Sequence, residues 1–116
     1  ITIHMVLSEN TRDLVGADDL AIMKPSSYLI NTSRGPIVNE PALLNALRNK
    51  KIAGAGLDVF DIEPLPKEHL FRELHNVVLT GHTGYVVAEL YEKVYGQAVE
   101  NIKAWIDKLP IRLLNG

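Results

Sequence analysis

Short apolar runs take turns along the chain with segments whose apolar residues recur every three or four positions. Ile1–Leu7 is apolar and β-branched and reads as a strand. Ala17–Met23 carries Leu20 and Met23 at i, i+3, a short amphipathic helix, and Lys24–Pro25 ends it because proline pushes its predecessor out of the α region. Tyr28–Asn31 reads as a short buried strand. Asn39 is a good N-cap, with Glu40 and Pro41 in the first turn, and Leu43, Leu44 and Leu47 then make one helix face. Ala53–Phe60 and Asn76–Thr80 are two more strands. From Val87 the apolar positions Val87, Leu90, Tyr91, Val94, Ala98, Ile102, Trp105 and Ile106 keep a 3.6-residue period, a long helix whose Tyr and Trp side chains read as core. Strands alternating with helices predict an α/β fold: a parallel sheet of about four strands with right-handed crossovers and helices on both faces, followed by the long C-terminal helix.

Composition narrows the function. The chain has 116 residues, enough for one modest core. A net charge of -2 lacks the basic excess of a nucleic-acid footprint. No apolar run reaches the ~18 residues of a membrane helix, and no signal-peptide pattern opens the chain. Zero cysteines exclude disulfides and Cys-based metal sites and fit a cytoplasmic setting. Starting on Ile1, inside a strand-like run, the chain reads as a piece of something larger.

Ligands of such sheets bind beyond the carboxyl ends of the strands. Thr32, Ser33, Arg34 and Gly35, then Asp58, then Thr80, Gly81 and His82 fall at or just past those ends, while His4 falls inside the first strand. Arg34 can grip a carboxylate bidentately, or simply pair with a loop acid. Glu63 and His82 suit an acid/base pair, a carboxylate on one imidazole nitrogen fixing the tautomer while the other exchanges a proton; the plainer reading is two solvated loop residues. Asp58 could accept from a ligand amide or cap a turn. Gly54-Ala55-Gly56 begins like a dinucleotide fingerprint, but Val59 stands where the third glycine belongs and no helix follows, so it is not a phosphate loop. His69 and His75 read as surface or turn residues. The four histidines lack metal-ligand spacing, and no Gly-x-Ser-x-Gly elbow is present.

Three runs go further: Asn31–Glu40 (NTSRGPIVNE), Ala53–Pro66 (AGAGLDVFDIEPLP) and Asn76–Gly84 (NVVLTGHTG). In this order and spacing, and with the opening His4…Leu7-Ser8…Thr11-Arg12, the chain resembles the D-isomer-specific 2-hydroxyacid dehydrogenases over nearly its whole length. The resemblance implies a Rossmann-type domain, NAD or NADP as cofactor, and a small 2-hydroxy or 2-oxo acid as substrate. It implies Arg34 on the substrate carboxylate, His82 as acid/base and Glu63 as its orienting partner. Asp58 and the backbone at Thr32 and Ser33 would hold the nicotinamide carboxamide, His4 would line that side of the site, and Gly84 would let backbone approach the cofactor. Gly81 replaces the family's usual proline before the histidine, and Thr83 its usual aliphatic residue after it. Glu63 sets the chain apart from the formate-dehydrogenase branch, which has Gln there.

The resemblance also implies what surrounds the chain. Residues 1–85 would be the nicotinamide half of the dinucleotide domain, and 86–116 a helix and tail packing toward a substrate domain. The glycine-rich phosphate loop would lie before Ile1, the first strand would expose a long apolar edge, and the chain alone would bind NAD poorly and turn over little. A homodimer is expected of the full-length protein. The alternative is a non-catalytic fragment or corepressor-like interaction module of the same fold.

Overall fold

The computed structural model describes residues 1–114, in two compact units, 1–84 and the chain from Tyr85 onward. In the first unit four strands, β1 (Thr2–Ile3), β2 (Tyr28–Asn31), β3 (Gly54–Leu57) and β4 (Val77–Leu79), form one sheet in the order β1-β2-β3-β4. Every pairing is parallel: Thr2 stands opposite Ile30, Tyr28 opposite Gly54 and Ala55 opposite Val77. Helices α1 (Ala17–Ile22) and α2 (Glu40–Arg48) pack on each other, and Leu20, Leu43 and Leu47 bury against Leu29, Leu57 and Phe71. The parallel α/β fold is the one the strand–helix alternation predicts.

Local chemistry sets the boundaries. The Asp19 carboxylate accepts the Gly16 N–H at 2.8 Å and opens α1. Asn39 caps α2, its Oδ1 accepting the Ala42 N–H at 3.0 Å. A single turn of 3₁₀ helix (Gly35–Ile37) joins β2 to α2, and another (Leu70–Glu73) precedes β4. An isolated parallel bridge, Val15 with Val38, pins the first of these turns.

Five expectations change. The first strand covers Thr2–Ile3 rather than Ile1–Leu7. Its ladder stops because the Ser33 hydroxyl takes the Ile3 carbonyl (2.9 Å) and β2 itself ends at Asn31. His4 therefore lies just past the strand, exposed, and the apolar edge is two residues long. Within this unit β2 alternates: Leu29 and Asn31 are buried, while Tyr28 and Ile30 face the same open side as Val78. The third strand ends at Leu57, so Asp58 sits immediately beyond its tip.

The second unit is built on α3 (Ala88–Ile106), where the 3.6-residue period placed a helix. Tyr91 and Tyr95 meet along it with their rings tilted by 46°, centroids 5.5 Å apart. No residue of α3 is buried, so Tyr91, Tyr95 and Trp105, expected in the core, are exposed. A lone helix can show a perfect apolar stripe; burial needs a second surface, which periodicity does not report.

Candidate active site

The β2 tip is organised by a residue that motif reading passed over. Asn31 is buried, and its side chain turns the chain back on itself: Oδ1 accepts the Ser33 N–H (3.0 Å) and Nδ2 donates to the Arg34 carbonyl (2.9 Å). Such a side-chain-closed turn is the ordinary use of Asn after a strand. It leaves Arg34 at the sheet rim, exposed, with its guanidinium donating to the Ser33 carbonyl at 2.6 Å. Gly35 then lies flat against the chain after β3, where a Cβ would stand 2.1 Å from the Phe60 carbonyl carbon. The Arg34 and Glu63 segments are thereby in backbone contact.

Asp58 builds the next turn. The residue is buried, and its carboxylate accepts the Thr80 hydroxyl and the Thr83 N–H (2.9 Å) on Oδ1 and the Gly84 N–H (2.7 Å) on Oδ2. Its carbonyl accepts the His82 N–H at 2.8 Å. Of the two readings left open by the sequence, turn-capping is the one these contacts display. His82 at the apex adopts φ 58°, the left-handed region that costs an L-residue ~1–2 kcal/mol; the Asp58 bonds on both sides hold it there. Gly84 is explained by the same carboxylate, since a Cβ would lie 3.0 Å from Asp58 Oδ2. Burial pushes the Asp58 carboxyl up, but the bonds from Thr80, Thr83 and Gly84 and the His82 charge outweigh it and leave it below its ordinary value.

His82 and Glu63 meet. Nδ1 lies 2.7 Å from Oε2, while Oε1 accepts the Phe60 N–H at 3.0 Å. Both side chains are about one-third exposed, at 37% and 33%. Burial raises the Glu63 carboxyl; the His82 hydrogen bond, the Phe60 N–H and the charges of His82 and Arg34 together bring it below its ordinary value. An ionised carboxylate only accepts, so Nδ1 carries the ring proton and Nε2 is the nitrogen that can exchange one. The Arg34 charge helps to lower the same carboxyl, which His82 contacts directly.

Two concavities flank these residues. One, of about 460 Å³, is lined by Phe60, Glu63, Leu65, Arg72, Thr80 and His82. The other, of about 690 Å³, is lined by His4 to Leu7 together with Thr32, Ser33 and Arg34. The second thus gathers His4, Thr32 and Ser33, three of the residues expected on the cofactor side, together with Arg34. His4 Nε2 pairs with the Thr2 hydroxyl at 2.8 Å.

His69, read as a surface or turn residue, does cap the second 3₁₀ turn, but its side chain is only 18% exposed and pairs with Glu40 (Nε2 to Oε1, 2.9 Å), a partner 29 positions away that no local pattern could reveal. Among the described residues no cluster of His, Asp and Glu could hold a metal ion, and no helix is long and apolar enough to cross a membrane.

A parallel sheet with an arginine, a carboxylate–imidazole pair and a polar groove at the carboxyl ends of its strands is the arrangement in which open α/β proteins hold their ligands. Within that class, residues 1–84 match the NAD-binding domain of the D-isomer specific 2-hydroxyacid dehydrogenases, and the chain belongs to that family. It is 42% identical over 116 residues to the glyoxylate reductase of Thermococcus litoralis, covering 99% of this chain and 35% of that protein. It is likewise 42% identical over 112 residues to the D-3-phosphoglycerate dehydrogenase of Synechocystis, covering 97% of this chain and 20% of that one. The D-isomer specific 2-hydroxyacid dehydrogenase of Xanthobacter autotrophicus superposes with a TM-score of 0.80 at 36% identity, over 96% of this chain and 36% of that chain. A structure of the same description and organism, in complex with NADPH, matches with a TM-score of 0.75 at 36% identity, over 96% of this chain and 45% of that one. The chain spans about a third of the length of the glyoxylate reductases it matches, 35% and 34% in two cases.

Proposed function

We propose that the protein built around this chain interconverts small 2-oxo and 2-hydroxy acids, with NAD or NADP as hydride carrier. The observation that carries this reading is the 2.7 Å contact of His82 Nδ1 with Glu63, on a carboxylate that also feels the Arg34 charge. The groove of His4, Thr32, Ser33 and Arg34 fits a nicotinamide: it is open, about 690 Å³, and bordered by hydroxyl, imidazole and backbone groups at the strand ends. Asp58 Oδ2, which takes the Gly84 N–H, keeps a second lone pair for a carboxamide N–H. Gly84 brings its backbone to the same place.

The nicotinamide, when bound, supplies the hydride that the 2-oxo carbon receives in reduction. This chain's residues do the rest. Arg34 pairs with the substrate carboxylate and turns the carbonyl to face the hydride. Negative charge grows on the carbonyl oxygen, and protonated His82 donates to it from Nε2. Glu63 holds the ring by Nδ1 and offsets its positive charge. In the oxidation direction neutral His82 accepts the hydroxyl proton and Glu63 stabilises the imidazolium that forms.

In the same reading residues 1–85 serve as the nicotinamide half of the cofactor domain, and 86–116 supply a helix toward a substrate domain. A homodimer in the cytoplasm completes the proposal; the absence of cysteine and the habits of the family are its support.

Steady-state kinetics of the whole protein on glyoxylate, the smallest 2-oxo acid, test the assignment. His82→Ala is expected to lower kcat by about 10²–10⁴-fold, the usual worth of a general acid. Arg34→Lys keeps the charge, loses the fork and raises KM. Undiminished kcat in His82→Ala removes His82 from its role.

A further inference from the structure

The segment carrying Glu63 runs from Asp61, four residues beyond β3, to His69, and one carboxylate reaches both ends. Glu40, the first residue of α2, places Oε1 2.9 Å from His69 Nε2, and its Oε2 accepts the Asp61 N–H in a long hydrogen bond of 3.4 Å. The Glu40 and His69 side chains are each only 18% exposed, so water competes weakly for these contacts. His69 is fixed from its other side, where Nδ1 accepts the Phe71 N–H at 3.2 Å and caps the second 3₁₀ turn. That bond makes Nε2 the protonated nitrogen, so His69 donates to Glu40. His69 and His82 therefore hold opposite tautomers, each dictated by its neighbours.

The arrangement has a cost. Burial raises the Asp61 carboxyl, and the charges of Glu40 and Asp13 raise it further. A neutral Gln at position 40 would remove that repulsion, but its amide presents one acceptor and one donor where two N–H groups need two acceptors. Glu40 also stands close in sequence to Arg34, at the end of the turn whose Gly35 abuts Phe60.

We propose that Glu40 is a positioning residue of the reaction site, tying both ends of segment 61–69 and so fixing where Glu63 meets His82. The inference rests on the acid/base reading of that pair. Glu40 touches neither substrate nor reacting atoms; it acts through the segment it holds.

The test is the ring ¹⁵N spectrum of His82 at neutral pH in the whole protein, alongside its melting temperature. The unsubstituted protein shows the Nδ1–H tautomer that the Glu63 contact requires. Glu40→Ala and His69→Ala are expected to lose that signature in favour of a tautomer mixture, while His69→Gln, whose amide nitrogen can still donate to Glu40, retains most of it. A purely structural role would lower the melting temperature in both alanine variants and leave the His82 tautomer unchanged; that outcome overturns the proposal. Should Glu40→Ala fail to fold, His69→Ala, which leaves the start of α2 intact, decides in the same way. Absence of the Nδ1–H form in the unsubstituted protein would bring down the acid/base reading itself, and the positioning role with it.

Discussion

Gly35 lies so close to Phe60 that a Cβ on it would stand 2.1 Å from the carbonyl carbon and 2.2 Å from the oxygen. This contact joins the residue after Arg34 to the backbone three residues before Glu63. No side chain fits unless one of the two backbones moves. Gly35→Ala is therefore expected to destabilise the fold by about 1–3 kcal/mol or more, the range of overpacked sites, and to separate the Arg34 and Glu63 segments. Urea unfolding measures the first effect. An unchanged midpoint would show that the contact is looser than described.

Gly81 is the contrasting case. It has a negative φ, and a Cβ there would meet nothing within 4 Å. Its one effect is then on the unfolded chain, which it makes more flexible. Gly81→Ala should stabilise by about 0.4–1 kcal/mol, seen as a higher melting temperature with no change at His82. A loss of stability would mean that the turn before His82 uses the glycine in a way these contacts do not reveal.

Acid should unfold the first unit through two groups. Asp58 and Glu63 are held below their ordinary values of 3.8 and 4.5. A carboxyl depressed in the folded state lends stability above its unfolded value and loses it as pH falls through the folded one. Stability is thus expected to be level near neutrality and to decline below about pH 4.5. Asp61, raised above 3.8, works in the opposite sense, since its protonation relieves repulsion from Glu40 and Asp13. Denaturation series from pH 7 to 3 should give a shallower decline for Asp58→Asn than for the unsubstituted chain. Parallel curves would assign the acid sensitivity elsewhere.

Asp58→Ala removes the acceptor of two backbone N–H groups and one hydroxyl at once. The expected loss is about 1–3 kcal/mol, the usual penalty for orphaned donors. It should come with release of His82 from its left-handed conformation, visible as a changed backbone shift at that residue. A folded variant with His82 unmoved would mean that the turn holds itself.

The elements that local sequence could specify are those it did specify. Asn39 caps α2 because its oxygen reaches three residues ahead, and the α3 stripe is a property of one helix. Arg34, Glu63 and His82 were legible through their motifs and strand-end positions. Reading failed where the partner is distant. His69 caps a turn as expected, but it looked like a surface side chain because Glu40 lies 29 positions away. The first strand looked seven residues long because nothing local announces that Ser33 will take the Ile3 carbonyl. Tyr91 and Trp105 looked buried because an apolar stripe shows that a helix can be covered and is silent on what covers it.

The central claim is that Arg34, Glu63 and His82 serve one small acid. It is tested most directly by a crystal structure of the whole protein with NAD and oxamate, an unreactive 2-oxo acid mimic. The oxamate carboxylate is expected on the Arg34 guanidinium and its carbonyl oxygen within hydrogen-bond distance of His82 Nε2, with Glu63 still on Nδ1. Oxamate bound away from Arg34, or a His82 ring turned from the carbonyl, would contradict it.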